Sequence, residues 1–449
     1  MSNNDSSKQI SFLAAVLMSV NIIIGAGIYY GPKAMTATAS EFSFLGWPLV
    51  ALLLLPVIYS LVQATSLFPG KGGFYNYGSQ GGRYPFIGFI ALWSYVLGYS
   101  ASTATLATVL KDNLANNLAI TWIAEYPTLF YVVIIMLFSL LNMASIRTIS
   151  KIQSTGTLLK LFPLLFVSLT LWMYWNGHEG SDLFHANLTF SKAGDSFSNL
   201  FNTIPFAIFA YVGFECCCSL GHMLKGGTRQ VGSVLMSAFV VSMILYTLFH
   251  FGVLQIMGVE NLSNVGVIDF PKYMGISAVA TTALSFSIAG AIILSFANSL
   301  FGLSLTNITN LHILIQDKVI GGEKYLGVTN RFDRPTNIII LHAIAIFVVL
   351  MFVSNSAILT ALGNIGTCIA LTISIVAVFR ESLKKGSLPQ IVIGMLSFCS
   401  MAVLIYFSWV SIAPTFSERV LYSLPLVLGL SLGVGAYCLT RGSVAIEAK

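Results

Sequence analysis

The feature that most constrains this chain is a succession of long apolar runs that carry almost no charge. The 449 residues contain twelve such runs, each long enough for a bilayer span of about 20 residues. Only 8% of the residues are charged, whereas a soluble domain has about 25%, so a soluble globular protein is excluded. The runs lack the ten-residue alternation of barrel strands, and lipid then leaves only helices. The predicted fold class is an all-α membrane protein with twelve transmembrane helices, at approximately 11–37, 43–67, 84–110, 127–145, 152–175, 197–222, 231–258, 276–311, 336–354, 357–379, 389–411 and 419–440.

The positive charges predict the orientation of these spans. If the N-terminus is cytoplasmic, 16 of the 22 Lys and Arg residues fall on the inside and 5 on the outside. Such an asymmetry marks the cytoplasmic face. We therefore expect cytoplasmic tails at 1–10 and 441–449, in a multi-pass protein of the plasma membrane, specifically a bacterial inner membrane. The net charge of +6 then reflects the topology of the loops, and no nucleic-acid partner is expected. The expected partners are membrane lipid and a small-molecule ligand.

Cysteine and histidine give no sign of a metal or of catalysis. The three consecutive residues Cys216, Cys217 and Cys218 would point about 100° apart on a helix, so they cannot all face one ligand. Neither a His-Glu-x-x-His motif nor a Ser–His constellation is present. We expect no metal and no cofactor. An intramembrane enzyme or a channel is the alternative from a different class, but rings of charge and filter repeats are also absent from the sequence.

Two predicted spans carry glycine where a helix would be weakened. The first contains Gly25-Ala26-Gly27. The sixth contains Gly213, which is followed by Phe214 and then by the acidic residue Glu215. A glycine in a membrane helix is ordinarily a packing device. Interrupted apolar segments at corresponding positions of two halves are, however, typical of secondary transporters built from inverted repeats. Half-helix N-termini would then face an anionic group, and free carbonyls an ammonium group.

Three motifs give the chain a resemblance to a known family. Ile24-Gly25-Ala26-Gly27-Ile28-Tyr29 resembles the Gly-Ser/Ala-Gly-Ile-Phe signature of the amino acid–polyamine–organocation (APC) superfamily. The segment 68–77 resembles its Pro-x-x-Gly-Gly-x-Tyr loop, and 209–215 resembles its Phe-x-Gly-x-Glu segment. The sequence departs from the family at Ala26, where many relatives have a hydroxyl, and at the Cys triplet, where acidic residues and an Asn-Pro turn are more usual.

The resemblance implies a fold of the LeuT type, a five-plus-five inverted repeat with two extra C-terminal helices. The repeats would occupy 11–175 and 197–380, and helices eleven and twelve 389–440. The implied function is secondary active transport of amino acids by alternating access, without sodium, by proton coupling or as an exchanger. A polyamine or another organic amine is the alternative cargo of the same fold.

The resemblance also implies a substrate site. The backbone around Gly25–Gly27 would hold a carboxylate, carbonyls around Phe209–Val212 would hold the α-amino group, and Phe209 would be a gate, although it could equally be a core aromatic. The implied substrate-binding residues are Ile23, Ile24, Gly25, Ala26, Gly27, Phe209, Ala210, Tyr211, Val212 and Gly213.

Two charged residues inside spans are the candidates for coupling, Lys160 and Glu215. Lys160 lies nine residues beyond Lys151, roughly 13 Å deeper along a helix, where a charge is costly. It could snorkel to the interface. By resemblance, its ammonium group would instead replace a sodium ion and bridge spans one and eight, either as a proton switch or as a permanently charged tether. Glu215 is either a structural residue at a helix restart or a proton-coupling group.

Overall fold

The computed structural model describes residues 10–25, 27–69, 72–117, 120–175, 199–215, 218, 224–353 and 355–447. These residues form sixteen α-helices and four short 3-10 helices, and no strand occurs among them. The helices are α1 Phe12–Ile23, α2 Gly27–Ala39, α3 Gly46–Leu67, α4 Phe74–Gly82, α5 Pro85–Asn117, α6 Thr121–Glu125, α7 Pro127–Asn142, α8 Ile146–Trp175, α9 Ile204–Tyr211, α10 Val231–Val265, α11 Ala278–Gln316, α12 Glu323–Leu326, α13 Thr336–Phe352, α14 Ser356–Lys385, α15 Leu388–Val410 and α16 Phe416–Glu447.

Length and composition mark eight stretches of the described chain as able to cross a membrane. The first, Phe12–Leu67, contains α1 to α3 and covers two predicted spans. The shorter apolar helices Pro127–Asn142 and Thr336–Phe352 match predicted spans four and nine. Predicted span six is described only in part, through α9. The all-α membrane class is therefore confirmed, while the number twelve stays a prediction, as do the domain boundaries.

The first predicted span is not one continuous helix. Its helix α1 ends at Ile23, and Ile24 has the non-helical torsion angles φ −76° and ψ 82°. The chain resumes as α2 at Gly27. Helix α9 ends in the same manner, because Val212 has φ −52° and ψ 127°. Gly213 then adopts φ +121°, a torsion angle that glycine tolerates without the steric cost of a side chain. Both segments singled out by their glycines are therefore helix ends.

A long helix pair supports the two breaks from one side. Helix α5 packs along α14 at a very short separation, because glycines face each other across the contact. A Cβ atom at Gly366 would lie 2.7 Å from the Cα of Gly98, and one at Gly98 would lie 2.8 Å from the backbone nitrogen of Thr367. Such small-residue contacts let membrane helices approach backbone to backbone. The contact fixes α5, which supplies one wall of the cavity between the breaks.

Candidate functional site

A small central cavity lies where the two breaks meet. Its volume is about 20 Å³, enough for roughly one water molecule. The walls come from the α1–α2 break, from α9 and its end, from α5 and from α11; they are Ile22, Ile23, Gly25, Gly27, Ser102, Leu106, Phe209, Val212 and Leu303. Five of the ten sequence-predicted binding residues, Ile23, Gly25, Gly27, Phe209 and Val212, thus line one space.

The remaining five predicted residues are placed differently. Ile24, Ala210 and Gly213 do not line the cavity, and Tyr211 is buried with its hydroxyl donating to the Trp47 carbonyl at 3.2 Å. Ala26 lies outside the described residues. Ala210 has a steric role instead, since a Cβ atom on Gly27 would lie 2.3 Å from the Ala210 Cβ. The two breaks therefore touch each other, and only a glycine at position 27 allows it.

The C-terminal end of α1 is held by the Lys160 ammonium group. Lys160 is fully buried, and its Nζ donates to the carbonyl oxygens of Asn21 and Ile24 and, at 3.2 Å, to the Ser299 hydroxyl. The last turn of a helix has carbonyls without helical partners, and a buried ammonium requires several acceptors. Each group thus satisfies the other. The lysine joins α8 to α1 and α11, and it does not snorkel to an interface.

Helix α11 adds further donors to the same end of α1. The Ser299 hydroxyl also lies 2.9 Å from the Asn21 carbonyl, and the Ser295 hydroxyl donates to the Ile24 carbonyl at 3.2 Å. The Asn298 amide donates to the Asn21 side-chain oxygen at 2.8 Å, and the Asn21 amide donates back to the Asn298 carbonyl at 3.3 Å. This fixes the position of the first break relative to α11. Ser295, Asn298 and Ser299 of α11 thus act as interhelical hydrogen-bonding groups.

Tyr246 of α10, which is not among the residues predicted from the sequence, contacts both breaks. Its hydroxyl lies 2.6 Å from the Ile23 carbonyl and 2.9 Å from the Ala210 carbonyl. The ring is fully buried against Trp47 and Tyr211. A hydroxyl has one hydrogen to donate, so the two carbonyls share it. Tyr246 therefore ties the end of α1 to the end of α9 through a single atom.

Glu215 is fully buried, and both of its carboxylate oxygens accept hydrogen bonds. Its carboxylate accepts from the Tyr99 hydroxyl at 2.9 Å and from the Gly213 backbone N–H at 3.1 Å. In a continuous helix the Gly213 N–H would bond the Phe209 carbonyl four residues earlier. Glu215 draws that donor away, so the helical ladder no longer uses the Phe209 carbonyl. The carboxylate thereby maintains the break that leaves this carbonyl without its helical donor.

Phe209 separates the central cavity from a larger one. The larger cavity, of about 140 Å³, lies toward the end of the bundle at which α2 and α5 end, and Gly27 and Phe209 line both spaces. The Phe209 side chain is half-buried and packs against the hydrophobic core. The central cavity is too small for an amino acid, so a molecule arriving from the larger cavity would have to displace this ring.

The cavity walls include residues that the sequence analysis missed. Ser102 and Leu106 on α5 and Leu303 on α11 face the central cavity. The Ser102 hydroxyl is buried and has no hydrogen-bond partner among the described residues. Ser102 lies in the run Ser100-Ala101-Ser102-Thr103, and the only available signal was this cluster of small polar residues in an apolar helix. Within the described chain, no three His, Cys, Asp or Glu residues are grouped so that they could hold a metal.

Comparison with known proteins decides the family. The family model described as amino acid permease matches residues 10–431, nearly the whole chain. The chain belongs to the amino acid permease family. The match confirms the resemblance to the APC superfamily and shows a multi-pass membrane protein of a permease family rather than of an enzyme family.

Several curated relatives of this family member are amino acid antiporters or exchangers. The arginine/agmatine antiporter of Chlamydia pneumoniae is 28% identical over 283 residues, which cover 60% of this chain and 58% of that protein. The serine/threonine exchanger SteT of Bacillus subtilis is 22% identical over 305 residues, 67% of this chain and 65% of that protein. The matched segment thus spans less than two thirds of each of these two relatives. The arginine/ornithine antiporter ArcD2 of Lactococcus lactis subsp. cremoris is 21% identical, covering 99% and 92%.

A solved structure shares the fold of this family member. The manganese transporter of Eremococcus coleocola, crystallised with an aromatic bis-isothiourea compound, superimposes with a TM-score of 0.54. The alignment covers 96% of this chain and 94% of that chain at 13% identity. Such a likeness shows the common fold and carries no argument about cargo.

Proposed function

We propose that this permease-family chain moves amino acids across the membrane by alternating access, around a site between the α1–α2 break and the end of α9. The observation that carries the proposal is the convergence of the two breaks on one cavity, with their carbonyl ends already held by Lys160 and Tyr246. The relatives named as amino acid antiporters and exchangers support the same function. The organic-amine alternative is tested by the same assay, with polyamines among the ligands.

The chemistry of the two breaks suits a zwitterion. The first turn of α2 presents backbone N–H groups and the positive end of the helix dipole at Gly27, which lines the cavity, and this arrangement suits a carboxylate. At the end of α9, the Phe209 carbonyl lacks its helical donor, because the Gly213 N–H donates to Glu215 instead. An ammonium group is the natural partner of such a carbonyl. An α-amino acid carries both charged groups at a fixed, short separation.

Lys160 supports transport without sodium. Its ammonium group already supplies a positive charge to the carbonyls of Asn21 and Ile24, which are oxygen ligands of the kind that a hard cation uses. A sodium ion would compete for the same oxygens. We propose that Lys160 takes its place, and that the cycle is coupled to protons or runs as an exchange.

The proposal is tested with purified protein in liposomes. Uptake of a panel of radiolabelled amino acids and polyamines is measured with and without sodium, with a pH gradient, and with a counter-substrate inside. We expect transport of at least one amino acid that is indifferent to sodium. Absence of transport or binding for every amino acid and amine would refute the function, and strict sodium dependence would refute the role of Lys160.

Lys160→Ala provides the matching mutational test. Losing charge-assisted hydrogen bonds of about 1.5–3 kcal/mol each should abolish transport. The control is Lys151→Ala near the start of the same helix, where the side chain is exposed. This substitution should leave transport unchanged. Normal transport by Lys160→Ala would contradict the assignment.

The orientation and boundaries belong to the same proposal. The charge asymmetry supports cytoplasmic termini in a bacterial inner membrane, and the two repeats would span 11–175 and 197–380. Topology reporters fused after residues 385 and 410, at the ends of α14 and α15, test the orientation, because the two positions should report opposite sides.

A further inference from the structure

A second cavity adjoins the larger one at the same end of the bundle. It has a volume of about 130 Å³ and shares the walls Tyr30 and Val109 with the 140 Å³ cavity. The larger cavity in turn shares Gly27 and Phe209 with the central cavity. The three spaces therefore adjoin one another through shared wall residues, and Lys33 on α2 lines the last of them. We call the two cavities beyond Phe209 together the vestibule.

Lys33 is the charged residue that lines this vestibule. No carboxylate of the described chain forms an ion pair with it, and the other residues that line the two cavities are neutral. Two carboxylates adjacent in sequence to residues of this cavity have other partners: Asp112, next to Asn113, lies 3.1 Å from Lys111, and Asp269, next to Ile268, lies 2.7 Å from Lys272. The positive charge of Lys33 is thus not neutralised within the described protein.

The aliphatic stem of Lys33 lies against Gly266. The side chain is half-buried, and a Cβ atom on Gly266 would lie 3.3 Å from the Lys33 Cδ. Gly266 has φ +85°, so glycine is favoured there for its backbone as well. Tyr29 and Asn113 flank the same cavity. A packed stem limits the freedom of the ammonium group, and less entropy is then lost when it binds an anion.

We propose that the vestibule is a first binding site for the carboxylate of the incoming amino acid, held by Lys33 before the molecule passes Phe209. This rests on the proposed function and goes further, because it assigns a substrate class. An uncompensated positive charge attracts anions and repels cations in a low-dielectric cleft. The preferred cargo is therefore an amino acid with zero or negative net charge, and arginine, ornithine and agmatine are disfavoured.

The test compares Lys33→Gln with the wild-type protein in the liposome assay. For a neutral amino acid we expect KM to rise about two- to fivefold with kcat unchanged, because a partly exposed ion pair contributes binding free energy of that size. The rise should be larger for an acidic amino acid. Inhibition by arginine should strengthen in Lys33→Glu. In the wild type, KM for the acidic substrate should increase between about 20 mM and about 300 mM salt, because salt screens the attraction.

Two controls separate this site from a structural role. Lys385→Gln removes one exposed positive charge at the end of α14, which lines neither cavity of the vestibule, and should leave KM unchanged. Lys33→Arg keeps the charge and should retain the wild-type KM. If Lys33→Gln loses thermal stability and its KM rises equally for neutral, acidic and basic ligands, the proposal is overturned.

The failure of this inference is distinguishable from failure of the proposed function. If the wild type transports and Lys33→Gln has the same KM for every ligand, only the vestibule site is refuted. If the wild type neither transports nor binds any amino acid, both fall. Should Lys33→Gln not fold, the salt dependence of the wild type decides alone, and its absence for an acidic substrate overturns the proposal.

Discussion

The substitution Tyr246→Phe isolates the contact that joins the two breaks. It removes one oxygen atom and leaves the packed ring against Trp47 and Tyr211 in place. The Ile23 carbonyl retains another donor, the Gly25 N–H at 2.8 Å. The Ala210 carbonyl loses the hydroxyl at 2.9 Å. The cost therefore falls on the end of α9, where the substrate amino group would bind.

The magnitude follows from an unpaired buried carbonyl, which costs about 1–3 kcal/mol. A change of 1.4 kcal/mol corresponds to a tenfold change in an equilibrium constant. If the substitution destabilises the substrate-binding conformation by about 1–1.4 kcal/mol, KM should therefore rise about 5- to 10-fold. We expect this rise in liposome uptake, together with a small loss of thermal stability.

A matched control deletes another buried hydroxyl between helices. Ser397→Ala removes the hydroxyl that lies 3.1 Å from that of Ser60, between α15 and α3, and Ser397 lines neither the central cavity nor the vestibule. It should lower stability without changing KM. If Tyr246→Phe behaves in the same way, with wild-type KM, then the idea that Tyr246 positions the two breaks is refuted.

Three further substitutions test the site. Gly27→Ala places a Cβ atom 2.3 Å from that of Ala210 and should cost about 1–3 kcal/mol of stability and most transport, whereas Gly290→Ala, with nothing within 4 Å, should be tolerated; equal melting temperatures would contradict this. Phe209→Ala should merge the central cavity with the vestibule and admit larger side chains in competition assays, and an unchanged ligand profile would argue against a gate. Glu215→Gln should lower thermal stability while the pH profile of transport stays as in wild type; a lost pH dependence would make Glu215 a coupling residue instead.

The parts of the fold that the sequence could predict are those set by local composition. Span limits follow from runs of apolar residues, so α15 was expected at 389–411 and is found at Leu388–Val410. The break after Ile23 follows from two glycines that weaken a helix by about 1 kcal/mol each. The depth of Lys160 follows from counting residues from Lys151. Each of these needs only a short window of sequence.

The residues that the sequence could not reveal are those whose role depends on distant partners. Tyr246 is one of 18 tyrosines and has no local signal, because its partner carbonyl on Ile23 is 223 residues away. The pairing of Asn21 with Asn298 spans 277 residues. Only the packed bundle determines these contacts.

The hydrogen bonds around Lys160 bear on how the cycle would be driven. An ammonium group has three donors, and it meets three acceptors, the carbonyls of Asn21 and Ile24 and the Ser299 hydroxyl. A neutral amine has two donors and a lone pair. The Ser299 hydroxyl lies within 3.2 Å of both carbonyls, so it can donate to either of them when the amine gives up its proton. Both protonation states thus keep their hydrogen bonds without rebuilding the site. A sodium ion that binds from solution can carry the energy of its gradient, whereas a tethered amine has only a proton to exchange with solution. If the cycle is coupled at Lys160, a proton gradient would therefore drive it, and an exchange cycle would need no change of protonation there.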